Sequence, residues 1–214
     1  MLTLGAQWWL PIDVSEHGHR IDSLIFWTHV FMAILFIGWG AYFAYCLIQF
    51  RQRPGHQATT KLPKAKASKY SEILVVIVEA VLLLAFSIPI WAAVRGKGHV
   101  PDAQTALVVR VVAKQFEWHI HYPGRDGVFG PTDQDLVNNE NVIGLDRSDE
   151  HGKDDIVSIN QMHVPVNQEV LVHLSSRDVI HSFGVSLLRV KQDVVPGMVI
   201  PLWFKAIRTS DEVR

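Results

Sequence analysis

His181 is the side chain of this sequence best suited to bind a metal ion. It lies in the stretch DVIHSFGVSLLRVKQDVVPGM, which runs from Asp178 to Met198. A metal-binding imidazole needs a rigid backbone and a second group that fixes which ring nitrogen carries the proton, and a strand next to a loop offers both. A histidine on an apolar strand is otherwise a packed core residue. The only cysteine, Cys46, is far away in the chain, so other motifs must decide between these roles.

Two apolar stretches precede this region. Residues 24–50 contain no Asp, Glu, Lys or Arg, and residues 73–94 contain one, Glu79. As a helix, the first stretch would be about 40 Å long, which exceeds a hydrocarbon core of about 30 Å. We therefore predict membrane-spanning helices at 24–50 and 72–94, after an N-terminal outer segment, 1–23.

The loop between these stretches, residues 51–71, predicts the orientation. It carries six basic residues and no acid, and the basic residues are Arg51, Arg53, Lys61, Lys64, Lys66 and Lys69. The positive-inside rule places such a loop in the cytoplasm or a mitochondrial matrix, with both ends of the chain on the outer side. The N-terminus has no basic region followed by an apolar core, so we expect no removable signal peptide.

After a polar connector at 95–106, the pattern becomes that of strands, and we predict an outer all-β domain at 107–214. The stretch TALVVRVVAKQFEWHIHY, residues 105–122, is interpreted as one strand that ends at the turn PGRDG. Period-two alternation then puts Phe116 and Trp118 on the same side. Further short segments bounded by Pro, Gly, Asn or Ser favour an antiparallel sandwich or barrel.

An acidic insertion at 123–156 interrupts this domain. It holds nine acids against three bases. The acids are Asp126, Asp133, Asp135, Glu140, Asp146, Asp149, Glu150, Asp154 and Asp155. A solvated loop is one interpretation, and a surface that attracts a basic partner is the other. The formal net charge of the whole chain, −1, argues against a nucleic-acid partner.

Three segments together resemble subunit II of bacterial haem-copper cytochrome c oxidases. They are SEILVVIVEAVLLLAFSIPIW, KQFEWHIHYPGRDGVFG and SSRDVIHSFGVSLLRVKQDVVPGM. The resemblance implies a two-helix transmembrane hairpin with a cupredoxin-like domain in the periplasm, anchored in the bacterial inner membrane. It also implies that the subunit takes electrons from cytochrome c through a dinuclear copper centre, CuA, and passes them to haem in subunit I. Subunit III and membrane lipid are the other implied partners.

The resemblance makes His181 the first CuA ligand. In the family, two cysteines spaced C-x-x-x-C, then a His and a Met, follow this motif, and the sequence to Arg214 does not contain them. Three explanations stay open: a longer polypeptide, strands supplied by another chain, or a subunit without copper. The alternative function is therefore a copper-free structural or docking subunit of a quinol oxidase or respiratory supercomplex.

Two acids of the second span invite a functional hypothesis. Glu72 and Glu79 are seven residues apart and lie on nearly the same side of a helix. By resemblance, Glu72 lies at the mouth of a proton-uptake path into subunit I, although an acid at a helix N-terminus needs no such role. Glu79 should face subunit I rather than lipid, either as a proton relay or as a hydrogen-bonding group.

The resemblance assigns roles to further residues. Phe116 replaces the Trp that accepts the electron in relatives, so Trp118 is either the nearest exposed aromatic or a core residue. Lys191 and Asp193 share a strand face and would lie at the subunit I interface, near haem propionates and a non-redox Mg²⁺. Asp178 would belong to the same interface, and it orients a neighbour or forms an Asp turn.

Four further strand histidines are candidate ligands. His119 and His121 share a strand face at a spacing that can bind a divalent metal, and His163 and His173 add two more. Since no third ligand is identifiable nearby, we expect these side chains to fill surface positions.

Overall fold

The computed structural model describes residues 10–55, 57, 66–96 and 100–213. Lys61 and Lys64 of the predicted basic loop lie outside these residues, as does the start of the N-terminal segment. The chain forms two compact units. One unit is Arg20–Ala93, and the other combines the N-terminal residues up to His19 with Val94 and all that follows.

The first unit is helical. Helix α1 is Gly18–Gln49, and the second helical stretch comprises α2 (Lys66–Val81), a π-helical segment (Leu82–Ser87) and α3 (Ile88–Arg95). Both stretches are long and apolar enough to cross a membrane, and both begin before the predicted spans. Large apolar side chains cover their outer surfaces, which suits lipid or a membrane partner.

Pro89 accounts for the π-helical segment. It has no amide hydrogen, and in a regular α-helix its ring would crowd the carbonyl of Ala85. Just before it, the backbone N–H of Ile88 bonds the carbonyl of Leu83, five residues back. The Ser87 hydroxyl donates to the carbonyl of Leu82 at 3.2 Å. In the turn before the proline, a wider backbone bond and a side-chain hydroxyl thus use the carbonyls of Leu83 and Leu82.

The second unit is the predicted all-β domain. Its larger sheet has the order β3-β2-β1-β4-β7, and β5 and β6 form a smaller one. The strands are β1 Leu107–Lys114, β2 Glu117–Tyr122, β3 Ile156–Ile159, β4 Glu169–Ser176, β5 His181–Val185, β6 Val190–Val194 and β7 Ile200–Lys205. The expected purely antiparallel arrangement is wrong, because β1 and β4 pair in parallel. The 54 residues that separate them give ample length for the crossover that parallel pairing needs.

Residues 105–122 do not form one strand. The backbone turns back at Gln115 and Phe116, and Lys114 of β1 pairs with Glu117 of β2. Phe116 therefore lies in a turn and is 93% exposed, while Trp118 lies on β2 and is half-buried. The prediction that these two aromatics share one strand face is wrong, since the turn separates them.

The core lies on the inner side of the larger sheet. Alternating residues of β1 and β4, such as Val109, Val111 and Val172, are fully buried, as is Phe204 of β7. Val14, from the segment before α1, joins this core and is 7% exposed.

Backbone hydrogen bonds hold this N-terminal segment. Val14 donates to Leu187 at 3.0 Å, and Ile207 donates to Val14 at 2.8 Å. The short stretch around Val14, just before α1, thus belongs to the β domain.

Candidate functional site

His181 is the first residue of β5 and sits in a rigid frame. It pairs across the smaller sheet with Val194, which is fully buried. Its ring meets the ring of Trp118 edge to face, with centroids 5.8 Å apart. The imidazole is 15% exposed. A strand position, a buried cross-strand neighbour and an aromatic wall therefore fix the ring while leaving part of it accessible.

Asp178 determines which nitrogen of His181 is available. Its Oδ1 atom lies 2.7 Å from Nε2 of His181. An ionised carboxylate only accepts hydrogen bonds, so Nε2 carries the hydrogen. In the neutral imidazole, the lone pair is then on Nδ1, where it can bind a metal.

The Asp178 carboxylate also joins two loops. Its Oδ2 accepts the N–H of Gln115 at 2.7 Å, and its Oδ1 accepts the N–H of Val179 at 2.7 Å. The hydrogen bond from His181, followed by these backbone bonds, holds the pKa of Asp178 well below its usual range. Asp178 therefore fits both predicted roles. It orients His181, and it accepts a hydrogen bond within its own turn.

Trp118 lies between the core and the candidate ligand. Besides His181, its ring contacts Phe183 at a centroid distance of 5.5 Å. Its backbone exchanges hydrogen bonds with Asn160, both at 2.8 Å. Phe116 is at the tip of the hairpin, next to the Gln115 amide that binds Asp178.

The expectation that the other histidines fill surface positions is wrong for two of them. His119 is 4% exposed and His121 is 1% exposed. Nε2 of His119 lies 2.9 Å from Glu117, and Nε2 of His121 lies 2.6 Å from Asp155. The ring of Phe129 packs against His121, with centroids 4.9 Å apart, so the insertion covers this face of β2. Burial lowers the pKa of His121, an effect that the Asp155 carboxylate opposes.

His163 and His173 are not brought into this cluster by strand pairing. His173 lies on β4 and is half-buried, whereas His163 lies in the loop before that strand rather than in a strand. The backbone N–H of His163 donates to the hydroxyl of Tyr122 at 2.7 Å.

The acidic insertion is folded onto the sheet through Asp155. This side chain is fully buried and accepts the backbone N–H groups of Gly124 and Gly130, at 2.9 and 2.8 Å, as well as His121. Arg147 donates to the carbonyl of Asp155 at 3.0 Å. Sequence reasoning treated Asp155 as one acid of a loop, and nothing in its local sequence distinguishes it from exposed Asp154.

The acidic insertion also contacts the loop that precedes His181. Arg177, next to Asp178, donates from its guanidinium to the carbonyl of Val142 and from its backbone to Ala113. A Cβ atom on Gly130 would lie 2.4 Å from Cα of Gly152, so the two backbone segments there approach as closely as only glycine allows. The insertion is therefore an ordered surface that carries exposed acids.

The remaining predicted site residues lie on exposed surfaces. Glu72 accepts a hydrogen bond from the Ser68 hydroxyl at 3.1 Å, and Glu79 is exposed on α2. Lys191 and Asp193 share the exposed face of β6, as predicted, opposite Gly184 and Ser182 of β5.

The described part of the chain does not complete a metal site. Within residues 10–55, 57, 66–96 and 100–213, no group of three or more His, Cys, Asp or Glu side chains could hold a metal ion. Cys46 lies in α1, within the other compact unit. His181 fits as one ligand, but the thiolates of a dinuclear copper centre are not among these residues.

Known proteins are similar in sequence to this chain. Residues 107–211 match the family model "Cytochrome C oxidase subunit II, periplasmic domain". The alternative cytochrome c oxidase subunit 2 of Bradyrhizobium diazoefficiens is 34% identical over 208 residues, which are 95% of this chain and 71% of that protein. Cytochrome c oxidase subunit 2 of Cereibacter sphaeroides is 29% identical and is matched over 64% of its length.

A solved structure is also similar in sequence. The crystal structure of the periplasmic domain of subunit II of cytochrome oxidase from Bradyrhizobium japonicum is 32% identical and covers 52% of this chain and 70% of that one, with a TM-score of 0.34. The match to the domain family, two apolar helices and an all-β domain together describe a membrane-anchored subunit of an oxidoreductase complex. The chain belongs to the cytochrome c oxidase subunit II family.

Proposed function

We propose that this subunit accepts electrons from cytochrome c and passes them to haem in subunit I of a respiratory oxidase. The observation that supports this most directly is the fixed imidazole of His181. Its Nε2 bonds Asp178 at 2.7 Å, which leaves Nδ1 for a metal. That arrangement matches the ligand role that the family resemblance implies.

His181 is the copper ligand that this part of the chain would contribute. When bound, a dinuclear copper centre supplies one-electron redox chemistry, because thiolate and imidazole ligands accommodate both copper states. We propose that the thiolates come from outside residues 1–214, on the same polypeptide or on a neighbouring chain. Asp178 holds the imidazole, and Trp118 limits its rotation.

The hairpin tip is the proposed position where electrons arrive. Phe116 presents an almost fully exposed ring there. Trp118 lies two residues later and contacts His181. We propose that cytochrome c docks on the Phe116 tip and on the acidic insertion, whose exposed carboxylates attract a basic partner.

Further contacts of the subunit are proposed from the resemblance. Lys191 and Asp193 present exposed charges on β6 toward subunit I, where a Mg²⁺ ion and haem propionates would lie, and Asp178 serves this interface by holding His181. Glu72 lies at the mouth of a proton-uptake path, with Glu79 farther along the helix. The subunit would sit in the bacterial inner membrane with both ends and the β domain in the periplasm, beside subunit III.

The alternative function is a copper-free docking subunit of a quinol oxidase or respiratory supercomplex, which the two apolar helices and the β domain would also suit.

Intact mass and copper content of the purified complex distinguish these functions. Copper bound to a subunit heavier than 24.2 kDa supports a CuA centre on one polypeptide. Copper with a subunit of 24.2 kDa supports ligands from a neighbouring chain. A complex that oxidises quinol and lacks this copper contradicts the first proposal and supports the second.

A further inference from the structure

The loop between β4 and β5, residues 177–180, carries the carboxylate that holds the candidate copper ligand. Asp178 accepts the N–H of Gln115 and bonds the ring of His181, both at 2.7 Å. All four residues of the loop are exposed, so core packing does not fix them. The position of the loop therefore depends on the polar contacts that it makes with neighbouring segments.

Arg177 makes two of these contacts. Its backbone N–H donates to the carbonyl of Ala113 at 3.0 Å, which continues the parallel pairing of β1 with β4. Its guanidinium donates to the carbonyl of Val142, in the acidic insertion and 35 residues earlier in the chain. Because Asp178 is the next residue, a bond that ties the Arg177 side chain to the insertion restricts where the carboxylate can lie.

The carbonyl that accepts this bond is itself held in place. Val142 is only 2% exposed. The neighbouring Asn141 side chain bonds both the N–H and the carbonyl of Leu145, each at 2.9 Å. Gly144 has a φ of +67°, and a Cβ atom there would lie 2.1 Å from the carbonyl oxygen of Asp133, so this turn requires glycine. The insertion thus presents a fixed acceptor to the guanidinium.

We propose that Arg177 is a positioning residue for the copper site, because it ties the loop of Asp178 to the acidic insertion and thereby fixes the ring of His181. A charged donor suits this task, since charge-assisted hydrogen bonds are stronger than neutral ones. The inference rests on the proposed function, in which His181 binds copper. It goes further by giving the insertion a second role, which is to support the copper ligand.

Hydrogen exchange in the intact complex tests the positioning without relying on copper. Arg177→Met removes the guanidinium but keeps a long, unbranched side chain. The amides of Gln115 and Val179 both donate to Asp178, and in this variant we expect them to exchange about tenfold faster, as for the loss of one charge-assisted hydrogen bond. Arg177→Lys keeps a charged donor and should restore most of the protection. Unchanged exchange in Arg177→Met would overturn the inference.

Two controls separate positioning from other effects. Arg125→Met removes an exposed arginine of the same insertion and should leave both amides as protected as in the wild type. Equal acceleration in Arg125→Met would show that the lost charge matters and not the hydrogen bond. The Gly124 and Gly130 amides should stay protected in Arg177→Met. If they exchanged faster to the same degree, Arg177 would have a general stabilising role and the inference would fail.

Copper affinity tests whether Arg177 acts through Asp178. In competition with a chelator, Arg177→Met should bind copper more weakly than the wild type and more tightly than Asp178→Ala. Adding Arg177→Met to Asp178→Ala should cause no further loss, because residues that act through one another are not additive. Additive losses would contradict the inference. A complex that binds no copper would instead defeat the proposed function, and hydrogen exchange would still decide whether Arg177 holds the loop.

Discussion

Nε2 of His181 lies 2.7 Å from one oxygen of Asp178, and the other oxygen of that carboxylate accepts the Gln115 amide at 2.7 Å. One side chain therefore ties the candidate metal ligand to the turn that exposes Phe116. The position where a donor would dock and the imidazole that would bind copper are held by the same carboxylate.

Removing this carboxylate should weaken copper binding. In Asp178→Ala, the imidazole loses the acceptor that fixes its tautomer, and we expect copper affinity to fall by about 10- to 100-fold. Competition with a copper chelator measures this in the purified complex. Asp126→Ala is the matched control, since Asp126 is an exposed carboxylate that also bonds a histidine, His151, at 2.6 Å, and this variant should retain its copper. Unchanged affinity in Asp178→Ala would contradict the positioning role.

The exposed ring of Phe116 should matter for electron transfer and not for stability. Phe116→Ala should lower the second-order rate of haem reduction by cytochrome c by about tenfold, corresponding to about 1.4 kcal/mol of binding. Stopped-flow absorbance measures this rate. Ile159→Ala removes another exposed apolar side chain, 54% exposed on β3, and should leave the rate unchanged. If Phe116→Ala and Ile159→Ala both kept the wild-type rate, cytochrome c would have to dock elsewhere.

The buried Asp155 should be essential for the order of the insertion. Asp155→Ala leaves His121 and the Gly124 and Gly130 amides without their acceptor, and a buried donor left unpaired costs about 1–3 kcal/mol. Amide hydrogen exchange at Gly124 and Gly130 should accelerate strongly. Asp126→Ala breaks an exposed pair with His151 and one exposed bond from the Val128 amide, and should change this exchange little. Full protection in Asp155→Ala would refute the anchoring role.

Low pH should destabilise the region in which His121 is buried against Asp155. Burial holds the pKa of His121 below its usual 6.5, and Arg110 and Arg147 lower it further, while Asp155 opposes them. The unfolded chain then binds a proton before the folded one does as pH falls. The stabilisation is fully present above pH 6.5 and is lost as pH falls through the folded value.

Hydrogen exchange against pH measures this effect. Corrected for intrinsic rates, the protection of the Gly124 amide should decline as pH drops below about 6.5. It should be less dependent on pH in His121→Gln. A wild-type profile that is flat in this range would contradict the assignment.

Structural features could be predicted from the sequence where the interacting groups are close in the chain. Asp178 and His181 are three residues apart, so their contact could be anticipated from a strand that begins beside a loop. The two helices and the all-β domain also follow from hydrophobic length and periodicity. Pro89 marks a disturbance in the second helix, but it does not say that a π-helical segment results.

Longer-range features could not be predicted this way. His121 and Asp155 are 34 residues apart, and the histidine is covered by Asp155 and Phe129, both from the insertion that follows β2. The hairpin turn at Gln115 and Phe116 lacks the Gly, Asn or Asp residues that usually mark such turns. The segment around Val14 joins the β domain through a few backbone bonds, which leave no periodic pattern.

The copper content of the purified oxidase complex, compared between the wild type and His181→Ala, tests the central claim most directly. His173→Ala, which alters a half-buried histidine of β4, is the control. We predict that His181→Ala loses the copper of the dinuclear centre while His173→Ala and the wild type retain it, with haem content equal in all three. Identical copper-to-haem ratios in the three complexes would contradict the assignment of His181 as a copper ligand.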